Sequence, residues 1–198
     1  MISPSPTIAP PVSRPVPEPG KWTFEDWLRL PEDGYRYEII DGEMFLAPPP
    51  DFVKHQEPVF ELAAQLREFV KPRNLGKVGI APTGVRLPNQ PVPLQPDIFF
   101  IAATRQDVKV GQYVEGAPDL IVEVLSPSNW LYDRQEKFAV YESAGVREYW
   151  IVDPRAKTIE VFVLEQGTYT LINKWGAGQC AQSQVLSDFE IAVDELFQ

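Results

Sequence analysis

The order of elements legible in the sequence predicts an α/β (α+β) chain: a mixed central β-sheet flanked by helices, with additional β-hairpins. Three observations carry this. The segment DLIVEVL (119–125) is the most β-branched in the chain and apolar on both faces except at Glu123, as a central strand covered on two sides would be. YRYEII and EMFLA flank Asp41-Gly42, a two-residue hairpin signal. Between strand-like runs, Val59, Leu62, Ala63, Leu66 and Phe69 keep helical spacing.

Taken in order, residues 1–20 hold seven of the twenty-one prolines and no apolar periodicity, which predicts a disordered or polyproline-like arm. A single domain is expected over 21–198, with order starting at Trp22. Thr23 is a good N-cap for a short helix that Pro31 ends, with Trp22 and Trp27 at the positions of a hydrophobic staple. The hairpin follows and stops at the prolines of 48–50. A helix is expected over 58–70, with Pro58 in its first turn, where a missing N–H costs little. Lys77–Leu87 reads as a strand broken near Pro82-Thr83-Gly84, and Ile98–Ile101 as the next. After DLIVEVL, a helix is expected from about Trp130 to Ala144, capped by Ser128 or Asn129 and stopped by Gly145. Residues 147–153 and 158–165 are further strands, with Gln166-Gly167 as the turn into YTLINKW. The final SDFEIAVDELF predicts a short strand and a helical turn.

Composition excludes several classes of chemistry. Cys180 is the only cysteine and His55 the only histidine, which excludes a disulfide framework and the usual His/Cys zinc sites. No window approaches the roughly 18 consecutive apolar residues of a membrane span, and no secretory signal is visible. A reducing, cytoplasmic setting is therefore expected, without membrane association. Net charge is −10, from 18 Lys+Arg against 28 Asp+Glu. Such a field repels polyanions on average, so nucleic-acid binding requires a local basic patch or a metal ion. Arg67, Lys71, Arg73 and Lys77 form the best candidate stripe, with a solvated face as the alternative.

The informative feature is acid inside apolar strands: Glu38 in YRYEII, Asp97 ahead of IFFI, and Glu123 in LIVEVL. A buried carboxylate needs a cation, a hydrogen-bond donor or a proton. Several converging carboxylates raise one another's pKa unless a cation neutralises them, and Mg²⁺ suits an oxygen-rich site. Each residue also has a structural alternative. Glu38 can pair with Arg36 or a cross-strand lysine, and Asp97 can be a turn residue after Pro96. Lys137 can form an i,i+4 salt bridge with Asp133.

The ordered string YEIIDGEM, PDIFF, APDLIVEVLSPSN, DR..K...Y and GVREYWIVDP resembles the Uma-two family of restriction endonucleases within the PD-(D/E)xK nuclease superfamily. The similarity runs from Trp22 to Phe197. It implies a restriction-endonuclease-like sheet and a DNA endonuclease, with Asp97, Glu123, Lys137 and Glu38 as the catalytic set. Asp97 and Glu123 would ligate Mg²⁺, or Mn²⁺ in its place, with the Val124 carbonyl and Glu38 as further ligands and Glu43 as a substitute for Glu38. A homodimer is the usual assembly of such enzymes. The superfamily's lysine position, two residues after the acid, holds Leu125; the resemblance moves the lysine to Lys137 on the following helix. His55 falls where family members carry a histidine, touching substrate or supporting the ligands, with a purely structural role as the alternative. Tyr141, one turn beyond Lys137, reads as a packing residue. A non-catalytic interaction module that kept the fold is the alternative, motivated by Leu125 and the net charge.

Overall fold

A computed structural model of the chain describes residues 16–31, 36–47, 51–88, 90, 92–126 and 134–197. Most of the proline-rich arm, the prolines of 48–50, the caps Ser128 and Asn129 and the expected helix start at Trp130 lie outside these.

Helix α1 (Phe24–Trp27) is a single turn closed by a capping box in which Thr23 and Asp26 satisfy each other's backbone N–H groups. Phe24 stacks on Trp27, Tyr113 meets both rings edge-on, and the Trp27 indole donates to the Tyr37 carbonyl at 2.8 Å. Strands β1 (Arg36–Ile40) and β2 (Glu43–Ala47) form the expected hairpin. Asp41 and Gly42 both have positive φ, as the tight turn requires. A Cβ on Gly42 would stand 2.3 Å from the Gly20 carbonyl oxygen, so the chain before Trp22 packs against this turn.

A π-helical turn (Phe52–Gln56), capped by the Asp51 side chain, leads into α2 (Glu57–Val70). The spacing anticipated α2 but not the π turn, whose wider ring leaves no periodic apolar signal. Val59, Leu62, Leu66 and Val70 line the buried face of α2. Each such side chain contributes roughly 1.5–3 kcal/mol on leaving water.

The stretch expected as one interrupted strand divides between two sheets. β3 (Gly76–Ile80) lies at the edge of the main sheet. β4 (Val85–Arg86) joins β6 (Lys109–Val110) and β7 (Val114–Glu115), two short strands with no clear sequence signal, in a three-stranded sheet of order β4-β7-β6. β5 (Ile98–Ala102), β8 (Leu120–Val124), β9 (Glu148–Asp153), β10 (Thr158–Glu165) and β11 (Thr168–Trp175) complete the main sheet, of order β11-β10-β9-β8-β5-β3. Only β8 and β9 in it are parallel, and α3 (Glu136–Ala144), stopped by left-handed Gly145, lies in the crossover between them. β12 (Cys180–Gln182) pairs with β13 (Glu190–Ala192), and a 3₁₀ turn (Val193–Leu196) follows.

The main sheet separates two cores. On one face, Ile98, Phe100, Leu120, Val122 and Val124 meet α2 and the C-terminal segment. On the other, Phe99, Ile101, Ile121 and Leu125 meet Tyr141 of α3 and Ile40 of the hairpin. This alternation decides where the acids point. Glu123 shares its strand phase with Ile121 and Leu125, and Glu38 shares its phase with Ile40. Both therefore face the α3 side.

Candidate active site

Four of the expected residues come from separate elements and meet at one end of the sheet. The antiparallel register pairs Ile98 with Val122, so Asp97, one residue earlier, stands opposite Glu123. Asp97 Oδ2 accepts the Val124 N–H at 2.9 Å. Like charges facing each other across strands repel, so the position is unfavourable without compensation.

Part of the compensation comes from α3. Lys137 Nζ donates to Glu123 Oε1 at 3.0 Å and forms an ion pair with Glu38 Oε2 at 3.1 Å. The other oxygen of Glu38 accepts the Gln95 N–H at 3.0 Å, which ties the hairpin to the approach to β5. Glu38, Asp97, Glu123 and Lys137 are each no more than 2% exposed. Leu125, two residues after Glu123, is packed in the α3-side core.

His55, delivered by the π turn, is buried, with Nε2 3.2 Å from Asp97 Oδ2. Its Nδ1 has no hydrogen-bond partner among the described residues. The missed residue is Tyr141. Its hydroxyl donates to Glu123 Oε1 at 2.6 Å, the oxygen that also takes Lys137. Burial, then the charges of Glu123 and Glu38, push its phenol well above the usual tyrosine range, so it stays a donor. The signal was available: Lys137 and Tyr141 are four apart on one helix face, and strand alternation turns Glu123 toward that helix.

The basic stripe is not at this site. Arg67 and Lys71 lie roughly 15–20 Å along α2 from the end next to His55. Lys77 pairs with Ile101, about 10 Å along the strands from the Ile80–Ile98 pair beside Asp97. Arg73 stacks over Phe69 and donates to its carbonyl. Arg105 is engaged by Asp107 and Asp119.

Among the described residues no group of three or more His, Cys, Asp or Glu side chains is arranged to hold a metal ion. Mg²⁺ asks for less: one or two carboxylates, with water and phosphate oxygens completing its shell. Asp97 and Glu123 supply two hard oxygen donors from facing strand positions. With Glu38 and protonated Lys137, the four groups carry a formal charge of −2, which a divalent cation would match. The donor set fits.

The mixed sheet, with one βαβ crossover and a covering layer on each face, defines an α+β protein. Residues 24–194 match the Uma2 family, described as "Putative restriction endonuclease", and the chain belongs to that family. Among solved structures it is similar to a crystal structure of a "putative nuclease belonging to DUF820" from Anabaena variabilis. The TM-score is 0.73 at 20% identity, covering 88% of this chain and 97% of that one, a likeness of fold. No curated protein matches the chain. Among the described residues no helix is long and apolar enough to cross a membrane.

Proposed function

We propose that this protein is a metal-dependent DNA endonuclease that hydrolyses phosphodiester bonds with Asp97, Glu123, Lys137 and Glu38. The observation that carries the proposal is the convergence of Lys137, from α3, on Glu123 where that residue faces Asp97. Family membership supports a nuclease reading.

Asp97 and Glu123 would hold Mg²⁺ or Mn²⁺, with the Val124 carbonyl and Glu38 as further oxygens. When bound, the cation supplies Lewis-acid polarisation of the phosphodiester and a lowered pKa for coordinated water. The protein's own groups do the rest. Lys137, steadied between Glu38 and Glu123, orients the attacking water and balances charge on the phosphate. Glu38 holds the lysine through one oxygen and the Gln95 backbone through the other. His55 restrains Asp97 from the π turn. With the basic stripe at the far end of the sheet, local neutralisation of the phosphate falls to Lys137 and the metal, and binding should be weak without metal. A homodimer would offer DNA a longer face.

The test is cleavage of supercoiled plasmid DNA with Mg²⁺ or Mn²⁺ by wild type, Asp97→Asn and Glu123→Gln proteins, with folding checked by circular dichroism. Loss of cleavage in both folded variants supports the proposal, and cleavage that persists in both removes it. The second reading, a non-catalytic interaction module, draws on the net charge of −10 and the lack of a three-donor group among the described residues. It predicts no calorimetric binding of Mg²⁺ or Mn²⁺ at millimolar concentration.

A further inference from the structure

A tyrosine that only filled space beside Tyr149, with ring centroids 5.2 Å apart, could equally be phenylalanine. Tyr141 is fully buried, and a buried phenol must find an acceptor. Its partner is an oxygen already committed to Lys137, so one carboxylate oxygen takes two donors spaced one helical turn apart. Two donors fixed on one rigid helix restrict rotation of the Glu123 carboxylate far more than either would alone.

We infer that Tyr141 is a positioning residue: with Lys137 it fixes, through Oε1, the orientation in which the Glu123 carboxylate meets the divalent cation opposite Asp97. The inference rests on the metal reading above and extends it to a group outside the expected acid–lysine set. Hydrogen-bonding partners of metal-ligating carboxylates commonly set affinity, and their loss weakens binding by about tenfold to a hundredfold.

Tyr141→Phe keeps the ring and removes only the hydroxyl. Calorimetric titration with Mn²⁺ should show binding weakened by about tenfold to a hundredfold, with an unchanged circular dichroism spectrum. Equal affinity in folded Tyr141→Phe and wild type would overturn the inference while leaving the metal site standing. If wild type binds no Mn²⁺ at millimolar concentration, the metal reading and the inference fall together. Should Tyr141→Phe not fold, the wild type decides the matter. In protein carrying ¹³Cζ-tyrosine, the Tyr141 resonance should shift on Mg²⁺ addition and saturate with the calorimetric affinity. A resonance unmoved at saturation overturns the inference.

Discussion

Lys137 reaches Oε1 of Glu123 at 3.0 Å from a helix, while Leu125, on the same face of Glu123's own strand, is packed into the core. The ammonium thus arrives from across the crossover rather than from within the strand. A long flexible stem makes this feasible, because the charge sits several ångströms from the backbone that carries it.

Removing the ammonium should be costly for stability as well as activity. Lys137→Met leaves Glu38 and Glu123 buried without it, and breaking a buried ion pair typically costs about 3–5 kcal/mol. Urea denaturation should show that loss, and adding Glu123→Gln should recover part of it, because the two residues are coupled. Strictly additive losses would argue against the coupling. Cleavage by Lys137→Met should fall about a hundredfold or more.

Strand alternation makes a second prediction. Position 125 shares the face of Glu123, so a lysine there can aim its ammonium at the same carboxylate. The double variant Leu125→Lys/Lys137→Met should cleave at least about tenfold faster than Lys137→Met alone, within the range of a positioned acid–base group. No recovery in a folded double variant would show that only the helix presents the amine correctly.

Glu160 of β10 accepts from Arg134 at 2.7 Å and from Lys174 at 2.8 Å, joining the chain just before α3 to the sheet. Burial works to raise its carboxyl, but the hydrogen bonds of Arg134 and Lys174 prevail and hold it below the usual value of 4.5. Its contribution is therefore complete above about pH 4.5 and is lost as pH falls through the lower folded value. Glu160→Gln should lose roughly 1–3 kcal/mol at pH 7, and the gap from wild type should close on acidification below pH 4.5. A gap independent of pH would assign the effect to packing.

Glu148 carries the opposite sign. It is fully buried, accepting from the Trp150 indole at 2.5 Å and from the Gln184 and Val185 N–H groups at 2.7 Å. Burial raises its carboxyl above 4.5 despite those donors. Its share of stability is complete below pH 4.5 and declines as pH rises through the folded value. In Glu148→Gln the stability–pH profile should lose that decline. An unchanged profile would show that another group produces it.

The local sequence determined the elements whose signals are local. Asp41-Gly42 requires positive φ and makes the hairpin; the spacing Val59–Leu62–Leu66 makes α2; β-branching makes β8. The acids were legible for the same reason, since a carboxylate in an apolar strand is conspicuous without any partner in view. In Lys77–Leu87 the break near Pro82 was legible, but not that its two halves join different sheets, because joining one sheet or another depends on strands distant in the chain. The two-residue strands β6 and β7 were invisible because such short pieces are held by their neighbours rather than by propensity. Only tertiary structure decided that Asp97 faces Glu123, that Glu38 and Glu123 share one ammonium, and that Tyr141 donates rather than merely packs. Register across β5 and β8 and the placement of α3 over their face bring these groups together, and neither quantity has a period or a motif that a single strand or helix could display.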